Sequence, residues 1–185
     1  MADDGAPDAD TLARLRDLCS DLSGEVGNGQ LLAWAEQSLP ADVPDVVFSQ
    51  VRDAGLLGDS VPARGRPARA ARSPWPQQTV SVPVDADELW ARIWQVDEAA
   101  AIDVLVSLMT GSVRDRSRRA RRLRRYEAEP EAVLAKLADL IGPGTHWWTN
   151  TDLTEWNPVT QHTFDAIVIG AGNGLVITVI GFDSA

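Results

Sequence analysis

The run from Phe164 to Asp183, FDAIVIGAGNGLVITVIGFD, is the most apolar stretch of the chain, and it restricts the fold more than any other segment. Asn173-Gly174 near its middle is a strong hairpin signal, because a type I′ turn needs positive φ at both central residues. With these residues in the turn, Gly172 pairs with Leu175, Ile169 faces Thr178 and Ile167 faces Ile180. One face of the ribbon then carries Ile167, Ile169, Val176 and Ile180, and the other carries Val168, Leu175, Ile177 and Val179. Both faces are apolar, and a two-stranded hairpin is not stable alone. Other strands must extend it and helices must cover it. The expected class is α+β: a small antiparallel sheet with this C-terminal hairpin at its centre, helices packed on one side, and an N-terminal helical segment.

Part of the same stretch, IVIGAGNG, matches the first half of the Gly-x-Gly-x-x-Gly dinucleotide fingerprint. Gly170 and Gly172 fill the first two glycine positions, but Leu175 stands at the third. Eleven residues follow Gly174, too few for the helix, second strand and ribose-binding acid, about 20 residues on, that such a site needs. The hairpin accounts for the glycines without a nucleotide, and no cofactor is expected.

A chain of 185 residues is long enough to bury its own core. The expected division is an N-terminal helical segment over 1–57, an Ala/Arg/Pro/Gly-rich linker or loop over 58–78, and an α+β body over 79–185. No apolar run reaches membrane-spanning length, and the acidic first ten residues do not resemble a leader. Cys19 is the single cysteine, so no internal disulfide forms, which suits a reducing cytoplasm. Sixteen arginines accompany Lys136 as the only lysine, and together with abundant alanine they suggest a bacterial genome rich in G and C. The net charge of −10 is unevenly spread: residues 1–58 hold eleven acids against three bases, whereas eight arginines crowd into 114–125. An acidic field favours basic partners over nucleic acid.

In chain order, Leu12, Leu15, Leu18, Cys19 and Leu22 predict a helix capped by Asp10 and ended by Gly24. Leu31, Leu32, Trp34 and Ala35 suggest a second helix over Gln30–Ser38, stopped by Pro40. The mixed spacing of Asp45–Leu57 is read as helix. Thr79–Val84 alternates and reads as a strand, placed at an edge by Pro83. Asp85 and Glu88 form a capping box for a helix with Leu89, Ile93 and Val96 inward and Trp90 and Trp94 flanking. The apolar run Asp97–Met109 is the expected central helix behind the hairpin. A last helix has Pro130 in its first turn, Leu134, Leu137, Leu140 and Ile141 as its stripe, and Gly142 as its stop.

Three surfaces compete for function. The segment Thr145–Thr163 holds both histidines, three of the seven tryptophans, and two acids. Trp147, Trp148, Asp152, Glu155 and Trp156 form the expected protein-binding surface, because tryptophan dominates interface hot spots. The leading expectation is a non-enzymatic protein-binding module of a bacterial cytoplasm, an inhibitor or immunity-type protein by analogy, acting on a basic partner. The second reading places nucleic acid against the arginine helix through Arg118, Arg121, Arg122 and Arg125. The third is a hydrolase or metal enzyme built on His146 and His162, with Asp152, Glu155 or Asp165 as partner groups. Their spacing matches no compact metal motif, so neither catalytic nor metal-binding residues are assigned.

Overall fold

The computed structural model describes residues 8–26, 29–58, 81–109, 128–153, 155–162 and 164–183. Among these residues, six antiparallel strands form one sheet: β1 (Gly24–Val26), β2 (Gly29–Gln37), β3 (Trp94–Val96), β4 (His146–Thr149), β5 (Asp165–Gly172) and β6 (Leu175–Asp183). Their spatial order is β1-β2-β6-β5-β4-β3, which puts the apolar hairpin at the centre. The fold is α+β. The hairpin register is the one the Asn-Gly turn dictates: Gly172 pairs with Leu175, Ile169 with Thr178 and Ile167 with Ile180. Asn173 and Gly174 both have positive φ, 50° and 72°.

Among the described residues, five α-helices cover the sheet: α1 (Ala9–Leu22), α2 (Val43–Asp53), α3 (Ala86–Trp90), α4 (Glu98–Met109) and α5 (Ala128–Ile141). Against one face, α1, α4 and α5 pack on Ala166, Val168, Leu175, Ile177 and Val179. The opposite face, Ile167, Ile169, Val176, Ile180 and Phe182, is covered by Val43, Val47 and Val51 of α2 and by Leu89 of α3. Helices therefore lie on both sides rather than one. The cause is the two-sided apolar ribbon, since each fully buried aliphatic side chain is worth about 1.5–3 kcal/mol.

Local chemistry starts and stops these elements. Asp97 Oδ1 accepts the Ala100 amide at 2.8 Å and opens α4, the expected central helix, whose Ala101, Val104, Leu105 and Leu108 are buried. Gly142 ends α5 with φ 88°. Asp85 Oδ1 accepts the Glu88 amide at 2.8 Å, as a capping residue should.

Four expectations are corrected. Gln30–Ser38 is not helix but most of β2, with Leu31, Ala33 and Ala35 buried on the α1 side and Leu32, Trp34 and Glu36 on the other. Pairing with β6 overrides the local pattern, so the N-terminal segment contributes two strands to the common sheet. The helix begun at Asp85 stops at Trp90, and Trp94–Val96 becomes the edge strand β3. Residues 81–84 form no strand, and the Ser81 carbonyl accepts Arg92 Nη1 instead of a ladder amide. The cap of α1 is Asp8, not Asp10. The linker over 59–78 and the arginine run lie outside the described residues.

Between β4 and β5 the packing is decided by one glycine. Gly170 pairs with Trp147, and a Cβ at Gly170 would stand 2.5 Å from Cζ3 of that indole. The glycine therefore makes the space in which the ring lies.

Candidate binding surface

The segment joining β4 to β5 is organised by a carboxylate. Asp165 has no exposed surface. Its Oδ1 accepts Asn150 Nδ2 at 2.8 Å, Trp156 Nε1 at 3.2 Å and the Val159 amide at 3.2 Å. Its Oδ2 accepts the Val159 amide at 3.1 Å, the Thr160 amide at 2.7 Å and Thr160 Oγ1 at 2.7 Å. Burial pushes the carboxyl above its ordinary range, while the bonds from Thr160, Val159 and Trp156 draw it back. Asn150 extends the cluster: its Oδ1 accepts the Ile167 amide at 2.8 Å and its Nδ2 donates to the Asn157 carbonyl at 2.7 Å. Arg92, just after α3, donates from Nη1 to the Pro158 carbonyl at 2.9 Å and also to the Ser81 carbonyl, and so ties the loop to the residues on either side of α3.

On this base stands a tight turn carrying two acids. Asp152 Oδ1 accepts the Glu155 amide at 2.7 Å, and Thr151 Oγ1 donates to the Glu155 carbonyl at 2.8 Å. The Asn157 amide donates to the Asn150 carbonyl at 2.9 Å, closing the neck. Leu153 sits at φ 70°, a conformation disfavoured by about 1–2 kcal/mol for a residue with a Cβ. Its side chain packs on the α1/α4/α5 core, which holds it there. Asp152 and Glu155 are both exposed.

The tryptophans divide. Trp147 is 4% exposed and belongs to the core, so it is removed from the expected surface. Trp156 is half-buried, gives its N–H to Asp165 and stacks on Phe164 with ring centres 5.1 Å apart. Trp148 is half-buried on the opposite face from Trp147, with Trp90 at 5.4 Å and His146 at 5.9 Å between ring centres. Comparison with protein-family models, curated proteins and solved structures finds no match. The site has to be judged on its own geometry.

The two histidines are not brought together. His146 pairs with Ala171 at one end of β5, whereas His162 lies on Phe182, which pairs with Asp165 at the other end. At about 3.3 Å per residue the two ends are roughly 20 Å apart. Among the described residues, no three His, Cys, Asp or Glu side chains stand close enough to hold a metal ion. Asp165 is committed to neutral donors rather than to either histidine. Arg118, Arg121, Arg122 and Arg125 lie outside the described residues. Sequence reasoning named Asp165 as one acid among several. Its central position was signalled by the Asn- and Thr-rich run 149–160, which supplies most of its donors.

Proposed function

We propose that this chain is a protein-binding module for a basic partner, acting as an inhibitor-type protein in a bacterial cytoplasm and presenting the turn Asn150–Asn157. The supporting observation is the fixed geometry of that turn. Two exposed carboxylates are carried on a backbone in which the amides of Asp152, Leu153, Glu155 and Asn157 are bonded within the turn and whose base is anchored on a buried carboxylate. Little conformational freedom remains to be lost on association, and such preorganisation converts contacts into affinity. Glu155 and Asp152 supply the charge that steers a basic partner, and the Trp148–Trp90 pair offers apolar area. No helix among the described residues is long and apolar enough to cross a membrane.

Purification of the tagged chain from its source cells, in parallel with Glu155→Arg and Trp148→Ala, tests the proposal. A partner of net positive charge is expected with the wild type and lost with Glu155→Arg, whose thermal midpoint stays within about 2 °C of wild type, as for an exposed site. Retention of the partner by both variants, or a partner that is acidic, rejects it.

A further inference from the structure

Strand β2 pairs with β6 along its whole length, from Gly29↔Asp183 to Gln37↔Leu175. On its other side, β1 takes only Gly29 to Leu31. Beyond that point two side chains do what a strand would do. The Ala33 amide donates to Ser23 Oγ at 3.0 Å, and Arg16 Nε donates to the Ala35 carbonyl at 3.2 Å. These bonds show that the odd-numbered residues turn their backbone groups outward, so Gln37 follows Ala33 and Ala35 by the alternation of an antiparallel ladder. A groove of about 470 Å³ opens along this edge, lined among others by Arg16, Cys19, Ser20, Ser23, Trp34 and Glu36. Among the described residues no strand pairs with Ala33–Gln37 on this side.

We infer that the outer edge of β2 from Ala33 to Gln37 is a strand-addition site for an extended, lysine- or arginine-bearing segment of another protein. An added strand would take the outward backbone groups, displacing the exposed Arg16 side chain from the Ala35 carbonyl. Its side chains would alternate between α1 and the face that carries Trp34 and Glu36. On that second face Glu36 is held by Gln50 Nε2 at 2.8 Å, and the half-buried Trp34 ring stands two residues away. Together they suit a cation, paired with the carboxylate and set against the indole. The acid excess of residues 1–58 acts in the same direction. A second copy of this chain fits less well: antiparallel pairing centred on Ala35 sets Glu36 opposite Trp34 rather than opposite a cation, and the net charge of −10 opposes self-association. The edge lies across the sheet from the Asn150–Asn157 turn, so the inference does not rest on the function proposed above.

The test uses the full chain, labelled with ¹⁵N, and three capped heptapeptides: one alternating lysine with valine, one alternating glutamate with valine, and the lysine peptide N-methylated at every second amide. The lysine peptide is expected to slow exchange of the Ala35 and Gln37 amides by about tenfold or more, as ladder hydrogen bonds do. The other two peptides leave these amides unchanged. Arg16→Ala, which clears the edge, tightens binding several-fold. Ala35→Pro abolishes it while sparing the β6 pairing, because the lost N–H points outward. Unaltered exchange with the lysine peptide overturns the inference, as does equal binding by the N-methylated peptide, which would indicate attraction by charge alone. Concentration-dependent protection of the same amides without peptide would assign the edge to a second copy and overturn it too. Should Ala35→Pro not fold, Arg16→Ala and the methylated peptide decide.

Discussion

At the base of the β4–β5 loop, five donor groups converge on one carboxylate with no exposed surface. Along the outer edge of β2 beyond its pairing with β1, the described residues meet the backbone groups with two side chains, Arg16 of α1 and Ser23 at its C-terminal cap. Both regions satisfy polar groups without a neighbouring strand, but by different means. Around Asp165 the donors are mostly backbone amides and short side chains, so opening one contact disturbs the others and the loop keeps a single shape. At the edge, a long exposed arginine can swing away at the cost of one hydrogen bond. The first arrangement suits presenting a surface, and the second suits exchanging one contact for another.

The contrast can be broken most directly at Asp165. Asp165→Ala leaves buried donors without an acceptor and is expected to cost about 3–5 kcal/mol, read as a lowered urea midpoint together with lost exchange protection at Val159 and Thr160. A loss below about 1 kcal/mol, the scale of a single ordinary hydrogen bond, would mean that the loop is held by something else. A smaller loss is expected from Gly170→Ala, which drives a methyl into the Trp147 ring and should cost about 1–3 kcal/mol. Thermal melts of the double variant with Trp147→Leu should recover part of that loss, because the ring is the obstacle. Arg16→Ala should cost less than about 1 kcal/mol, the value of one exposed contact; a larger loss in denaturant titration would show the edge to be locked rather than exchangeable. The smallest effect concerns Cys19, which is buried and whose thiol burial pushes up to about 12. Only about one molecule in ten thousand would then carry thiolate at pH 8, and labelling by a disulfide reagent should follow unfolding rather than reagent concentration.

What could be read from the sequence was what is settled locally. The Asn173-Gly174 turn and the alternation on either side of it fix the hairpin register, since turn chemistry and side-chain period agree. Asp97 and Gly142 mark helix ends for equally local reasons. Strand β2 was misread because Leu31, Leu32, Trp34 and Ala35 satisfy helical spacing over a short run, and the pairing that decides the matter comes from β6. The division of Trp147 from Trp148 follows from strand alternation, but which ring enters the core depends on Gly170 lying opposite Trp147. Asp165 was visible as an acid, yet its role required knowing that Asn150, Trp156, Val159 and Thr160 fold back over it.

The antiparallel seam between β2 and β6 joins Gly29 to Asp183 and Gln37 to Leu175, segments separated by roughly 140 residues or more of intervening chain. Closing so long a loop carries an entropic toll that short-range pairings escape, and folding slows accordingly. During synthesis β2 leaves the ribosome soon after α1 but long before β6, so the edge that β6 will pair with stays open until the late strand is made. An unpaired strand edge of that kind is the feature by which partly made chains aggregate, and the interval before β6 appears is when this one is open.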